Sequence, residues 1–269
     1  HVDNAETRVT TGAPIVVESV SKRYETPSGP IPAVDTVSLT VRPREFVSLL
    51  GPSGCGKSTL LAMIGGLVRP DSGRILIEGT PISGPTPSKV ALVFQDPGLF
   101  PWRTALDNVG FGLELTGVAA ARRREIALSL LEPMGLKGFE VKYPRELSGG
   151  MRQRVAIARA LALDTPILLM DEPFGALDEQ TRLLMGEWLV EVRHRTQRTV
   201  VFVTHSLHEA IALSDRIAVM TARPGRIKDV VEVPLPYPRA LDGPDAVALH
   251  AKLWTQIREE SMRAMDGRR

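Results

Sequence analysis

The stretch "EFVSLLGPSGCGKSTLLAMI", Glu45 to Ile64, leaves this chain little freedom of fold. A short apolar run of strand length leads into G-x-x-x-x-G-K-[ST] at Gly51–Ser58, and an apolar helical pattern follows at once. In such a loop the backbone N–H groups point at phosphate oxygens, and the helix N-terminus adds partial positive charge. Lys57 is placed to reach the β- and γ-phosphates and Ser58 to ligate Mg²⁺. Gly51, Pro52, Ser53, Gly54, Cys55, Gly56 and Thr59 supply the rest of the phosphate cradle. Cys55 reads as a small residue that fits the loop. The adjoining helix end is expected to lower its thiol pKa, so that bound Mg-nucleotide would slow its alkylation.

Three more apolar runs behave like the first. "EFVSLLG" leads to Gly51, "VALVFQ" to Gln95, "PILLMDE" to Asp171 and Glu172, and "TVVFVTH" to His205. Continuous runs of this kind suit strands buried on both faces of a parallel sheet. Ligands of open α/β sheets sit beyond the carboxyl ends of the strands, so the four runs predict one site. Asp171 is expected to serve Mg²⁺. Glu172 follows, where a carboxylate can orient and polarise an attacking water. His205 reads as a γ-phosphate sensor, and "SLHE" after it fits a capping box with Ser206 as N-cap and Glu209 at N3. His1, His194, His208 and His250 have no such context.

Other segments alternate in polarity. "VSLTV" (Val37 to Val41) and "RILIEG" (Arg74 to Gly79) predict half-exposed antiparallel strands, and "DRIAVM" and "RIKDVVEV" predict a late hairpin through "TARPGR". From about Asp96 to Ala162 the pattern is helical, with Ile126, Leu130 and Met134 on one face. Pro234, Pro236, Pro238 and Pro244 precede Leu249, Leu253 and Ile257, which predict a short tail helix. The fold class is α/β: a P-loop NTPase core with a mostly parallel sheet, an N-terminal antiparallel β subdomain and an inserted α-helical subdomain.

A net charge of +2 argues against a dedicated nucleic-acid binder. The one dense basic run, Arg122 to Arg124, is followed by Glu125 and reads as a solvated helix face. A single cysteine excludes a disulfide framework and fits a reducing compartment. No apolar stretch approaches the roughly 18 residues needed to cross a bilayer, so a membrane role is expected to come through partners. "HVDNAETRVTTGAP" lacks the features of a signal peptide and reads as a loose tail.

With these pieces in this order, Val16 to Val233 resembles the ATP-binding subunit of an ABC (ATP-binding cassette) transporter. The defining stretch is "RELSGGMRQRV", Arg145 to Val155, whose "LSGGM" is similar to the family signature LSGGQ with Met151 in place of glutamine. In this family the signature of one subunit contacts the γ-phosphate held by the other. The resemblance therefore implies that Ser148, Gly149 and Gly150 act in trans on a second copy of the chain. "ALD" (Ala176 to Asp178) resembles the loop that crosses the dimer interface and brings Asp178 to the same place, although Gly175 stands where serine is commoner. Tyr24 in "SKRYE" looks like the aromatic that stacks on adenine, with a surface tyrosine as the alternative. Gln95 resembles the glutamine that senses Mg²⁺ and the transmembrane partner, and Glu172 and His205 take the catalytic-base and switch-histidine positions.

The resemblance implies ATP and Mg²⁺ as cofactors and a tail over 1–13. It implies an ATP-binding domain over 14–235 with its helical subdomain at about 96–162, and a proline-rich segment and helix over 236–269. "LFPWRTALDNVGFGLE", "PFGALDEQTR", "TARPGRI" and "VPLPYPR" look like importers of the nitrate, sulfonate and taurine type. Those importers couple two ATPase copies to two membrane permeases and, indirectly, a solute-binding protein, with no nucleic acid, at the cytoplasmic face of the inner membrane. Phe100, Pro101 and Trp102 beside Gln95 either form the permease-docking surface or pack internally. A soluble ABC ATPase of DNA repair or translation usually has two cassettes or a long coiled-coil insertion, neither evident here. A P-loop kinase or GTPase does not explain "LSGG".

Overall fold

A computed structural model describes residues 11–266. Its centre is a sheet of six strands: β3 (Phe46–Leu50), β6 (Val90–Val93), β7 (Ile167–Asp171), β8 (Thr199–Thr204), β9 (Arg216–Met220) and β10 (Ile227–Glu232). Their order is β10-β9-β3-β8-β7-β6, parallel except that β10 runs antiparallel to β9 as the expected hairpin. The four apolar runs are β3, β6, β7 and β8, and alternate side chains serve opposite layers. Val47, Leu49, Ile167, Leu169, Val201 and Val203 enter one core, while Phe46, Leu168, Met170, Val200 and Phe202 enter another. Phe202 anchors the second, with the Phe46 and Phe174 rings at 5.7 and 5.6 Å.

The first core is closed by helix α1 (Lys57–Ile64) and an antiparallel sheet. That sheet comprises β1 (Ile15–Tyr24), β2 (Ile31–Val41), β4 (Ser72–Ile77) and β5 (Thr80–Pro81), in the order β2-β1-β4-β5. Val37, Leu39 and Val41 of β2 are buried while Ser38 and Thr40 face out, as the alternation predicts. The tail expected over 1–13 lies largely outside the described residues. Its last residues are packed: the Gly12 N–H donates to the Gln197 carbonyl at 2.9 Å, and Ala13 is buried.

The second core is closed by α2 (Ala105–Leu115), α3 (Ala120–Leu131) and α4 (Gly149–Ala162), with a 3₁₀ turn at Pro144–Glu146. The buried line of α3 is Ala127, Leu131 and then Met134, with Ile126 and Leu130 packed beside it. Arg122 pairs with Glu125 at the surface, whereas Arg123 turns in to the Val118 carbonyl at 2.7 Å. Asn108 of α2 is fully buried and bonded through both ends of its amide. Its Oδ1 accepts from the Phe100 N–H at 2.8 Å, and its Nδ2 donates to the carbonyls of Phe100, Arg103 and Thr104. Arg159 of α4 grips the same loop through the carbonyls of Pro97 and Gly98 at 2.8 and 2.9 Å.

The same sheet face also carries α5 (Glu179–Thr196), α6 (Leu207–Leu213) and α7 (Pro244–Asp266), with Met185, Leu189 and Leu213 in the second core. The short tail helix of the sequence reading is in fact 23 residues long. Apolar periodicity stops at Ile257, because the next inward position is a carboxylate, Glu260, which is 1% exposed. Leu253, flanked by Leu249 and Ile257, seats α7 on Leu50, Ile217, Val219 and Val231. Replacing a buried leucine by alanine costs about 3 kcal/mol through lost transfer energy and the cavity left behind. Leu253→Ala should lower unfolding free energy by that order in urea denaturation; a loss under about 1 kcal/mol would show that α7 is not seated there.

Candidate nucleotide site

The pairing register aligns the strand ends. Leu50 lies opposite Thr204, and Asp171 opposite Val203, so the loops after β3, β7 and β8 open on the same edge. The loop after β3 turns into α1 at Gly56, whose φ of 104° is open to glycine at little cost. A Cβ there would also lie 2.5 Å from the Ala33 carbonyl oxygen. Lys57 is buried, and its Nζ donates to the Gly51 and Pro52 carbonyls at 2.8 and 3.0 Å, which holds the ammonium inside the loop. Ser58 Oγ donates to Asp171 Oδ1 at 2.9 Å.

A cleft of about 420 Å³ opens over this loop, lined by Ser53, Gly54, Gly56, Lys57, Ser58 and Thr59 of the loop itself. Tyr24, Gln95, Glu172 and Arg223 complete its polar wall. Gly51, Pro52 and Cys55 form the back of the loop and do not line it. A larger and more apolar cavity of about 600 Å³ lies between α5, α6 and Tyr237–Leu241, and it has neither a phosphate loop nor a Ser–Asp pair. Chemistry therefore selects the smaller cleft. Tyr24 is 41% exposed, open to stacking by a planar ring.

Burial pushes the Asp171 carboxyl above its usual range; the Ser58 hydroxyl opposes this and the neighbouring Glu172 charge adds to it. A cation at this position would offset both effects. Among the described residues no cluster of three or more His, Cys, Asp or Glu could hold a metal. Ser58 and Asp171 nonetheless fit Mg²⁺, which keeps several waters and takes one or two protein oxygens plus substrate phosphates.

Glu172 sits at φ 43°, a left-handed conformation costing a non-glycine residue about 1–3 kcal/mol. It is fixed there by its N–H on the Val203 carbonyl at 3.0 Å and by its own carbonyl accepting from Gly175 at 3.1 Å. The turn brings Glu172 Oε2 to 3.1 Å from His205 Nδ1.

The capping box expected after His205 is only half formed. Ser206 Oγ accepts from the Glu209 N–H at 3.3 Å, but the Glu209 carboxylate takes the Thr204 hydroxyl instead, at 2.5 Å. Thr204 Oγ1 in turn accepts the Ser206 N–H at 2.9 Å, so the donor that a reciprocal box would engage is already satisfied.

Ser148, Gly149, Gly150 and Asp178 do not line the cleft of their own chain. Ser148 caps α4 by accepting from Met151 N–H at 3.2 Å, and Asp178 caps α5 by accepting from Thr181 N–H at 2.9 Å. The two caps are neighbours, since a Cβ on Gly150 would stand 3.4 Å from the Ala176 carbonyl oxygen and 3.2 Å from Leu177. Met151 is half-buried against the α2–α4 core, which accounts for an apolar residue at that position.

The sequence reading missed Thr26, Ile31, Ala33 and Arg223, which also line the cleft. The first three are ordinary strand and turn residues. Arg223 lies in a hairpin recognisable only as a turn. The expectation for the Cys55 thiol is overturned. Burial raises its pKa, and the nearby Lys57 charge and loop N–H groups do not compensate. The side chain is 1% exposed behind the loop rather than facing the ligand.

Comparison with known proteins places these features in company. A family profile described as ABC transporter matches residues 34–175. An ABC transporter ATP-binding protein of Methanocaldococcus jannaschii is 46% identical over 249 residues, covering 93% of each chain. The aliphatic sulfonates import ATP-binding protein of Bacillus cereus is 41% identical, covering 90% of this chain and 95% of its own. The taurine import ATP-binding protein of Pseudomonas fluorescens is 45% identical over 78% of this chain and 79% of its own. Among solved structures, a dimeric ATP-binding cassette in a post-hydrolysis state bound to ADP and Pi superposes with a TM-score of 0.76 at 35% identity, covering 81% of this chain and 98% of that one.

The position of Cys55 has a direct chemical consequence. Its alkylation by iodoacetamide at neutral pH should be slow in the native protein whether or not Mg-ATP is present, and rapid in denaturant. Fast labelling of the native chain would contradict the buried placement.

Proposed function

This chain belongs to the ABC transporter family, and from that premise we propose that it drives solute import by closing as a pair around two ATP molecules. It is an ATPase that uses ATP and Mg²⁺. The observation that carries the proposal is the convergence of Lys57, the Ser58–Asp171 pair and the Glu172–His205 pair on one sheet edge.

In this reading Ser53, Gly54 and Gly56 to Thr59 cradle the phosphates, backed by Gly51, Pro52 and Cys55, and Tyr24 stacks on adenine. Ser58, Asp171 and Gln95 would hold Mg²⁺, which would supply neutralisation of the phosphate charge. Glu172 orients and polarises the attacking water, and its unusual backbone turn aims the carboxylate at the cleft. His205 senses the γ-phosphate and restrains the Glu172 side chain.

Ser148, Gly149, Gly150 and Asp178 stand apart from the cleft of their own chain, so their place in the reaction is against the ATP of a second copy. Closure is favoured by the higher affinity of ATP for the shared site than for the open halves. The helical segment over about 96–162 acts as the subdomain that carries Ser148 toward the partner.

Among the described residues no helix is long and apolar enough to cross a membrane. The chain is proposed to work at the cytoplasmic face of the inner membrane, held by two permease subunits that receive solute from a binding protein. The naming of similar proteins for sulfonate and taurine import supports an anion of the nitrate, sulfonate or taurine type as cargo. Trp102 is 71% exposed, with its ring 5.6 Å from Phe100, and this exposure favours a docking surface over internal packing.

Two variants test the proposal. Glu172→Gln should lower kcat by about a hundredfold or more while retaining ATP. It should elute as a dimer in Mg-ATP on size exclusion, and a purely monomeric profile would refute the shared site. Trp102→Ala should keep the ATPase rate of the isolated subunit and lose co-purification with the permeases. Unchanged recovery would remove this loop from the docking surface.

A further inference from the structure

The tip of the β9–β10 hairpin is wedged behind the phosphate loop. Gly225 N–H donates to the Ala33 carbonyl at 2.9 Å and its own carbonyl accepts from Asp35 at 3.0 Å. A Cβ on Gly225 would lie 2.1 Å from the Cys55 carbonyl oxygen, so only glycine allows this approach. From that wedge Arg223 extends along the cleft wall, and its Nε donates to the Gly54 carbonyl at 3.2 Å. Its two terminal nitrogens have no hydrogen bond among the described residues. A guanidinium anchored at one edge presents its remaining donors as a planar fork, the geometry that phosphate oxygens accept.

Behind the wedge stands α7. The Glu260 carboxylate accepts from the Ala222 N–H at 2.9 Å, from Lys228 Nζ at 2.8 Å and from Arg263 at 3.0 Å. It occupies the helix face otherwise filled by Leu249, Leu253 and Ile257. A buried carboxylate is costly unless its lone pairs are satisfied, and here three donors satisfy it. Burial would raise its pKa, but Lys228, the Ala222 N–H and Arg263 outweigh burial and hold it below the usual range. Arg263 and Ala264 then border Pro52–Gly54 and Ala222–Arg223 around a hollow of about 230 Å³.

We infer that Arg223 is a further nucleotide-contacting residue of this cleft and that Glu260 is its positioning residue, so the tail helix sets the affinity of the site for Mg-ATP. This rests on the cleft being the ATP site. The ligand group addressed is the phosphate chain. The route is short: Glu260 fixes the Ala222 amide, that amide fixes the Arg223 backbone, and Arg223 bridges the phosphate loop and the bound anion.

The test uses the full chain and steady-state hydrolysis of Mg-ATP. Arg223→Ala should raise KM about tenfold, the scale of one lost charge-assisted hydrogen bond, and lower kcat by much less. Arg223→Lys should recover only part of the loss, because a single ammonium lacks the fork. Glu260→Ala should raise KM similarly, and the double variant should be no worse than Arg223→Ala alone, as coupled residues require. A KM for Arg223→Ala within twofold of the parent overturns the assignment, and multiplicative effects in the double variant overturn the role of Glu260. If Glu260→Ala melts below the assay temperature, Glu260→Gln, which keeps an acceptor for the Ala222 N–H, should leave KM within twofold of the parent, and a rise of about tenfold there would overturn the route through Ala222. Lys57→Ala runs in parallel: normal hydrolysis there would refute the ATP site itself. Its loss alongside a normal Arg223→Ala would refute only the present inference.

Discussion

Three backbone segments meet at Ala33, Cys55 and Gly225, and the cleft over the phosphate loop depends on that meeting. The first belongs to the antiparallel sheet, the second to the phosphate loop and the third to the late hairpin of the parallel sheet. A loop that presents its amides to an anion has few internal bonds of its own. It keeps its shape only if packed from behind by groups that do not compete for those amides. Here the packing is backbone against backbone, close enough that side chains are excluded at Gly56 and Gly225. The antiparallel sheet thus does more than cover a hydrophobic face: it is one jaw of the clamp on the loop.

The parallel sheet makes a second contribution through register. Because neighbouring strands end level, a serine on α1 and an aspartate at the end of β7 come within hydrogen-bond distance across 113 positions of sequence. The same levelling puts Glu172 beside His205. The inner strands β3, β7 and β8 are buried on both faces, so none of them can slide by one residue without exchanging the contents of two cores. The geometry of the cleft is therefore protected by hydrophobic packing far larger than the few polar contacts within it.

Much of this was readable from residues alone, for identifiable reasons. The inner strands β3, β7 and β8 declared themselves because two-sided burial demands continuous apolar runs, and the edge strand β6 shared the pattern although Val90 and Leu92 are only half-buried. Ser148 stood out as a hydroxyl before two glycines, the structure adds that it caps α4, and Met151 became intelligible once the α2–α4 core was seen beneath it. What stayed hidden were features set by competition between partners. Glu209 was expected to close a capping box, but it takes the hydroxyl of Thr204 at the end of β8, which itself accepts the Ser206 N–H. Cys55 was expected to be acidic from its helix end, yet its side chain points into the core, where desolvation prevails. Glu260 concealed half of α7, since a paired carboxylate on the inward face breaks the apolar period by which helices are recognised.

The buried amide of Asn108 bears on what happens at the surface. Its four hydrogen bonds hold the backbone between Phe100 and Thr104 in one arrangement, and Arg159 fixes the residues just before it. Trp102 is consequently an exposed indole on a stiff mount rather than on a wandering loop. Ordering a flexible segment at an interface consumes part of the energy of contact, whereas a pre-set one leaves that energy for affinity. A rigid mount would also push: a displacement of the helical segment would be passed to anything docked on Trp102 instead of being absorbed by slack in the chain.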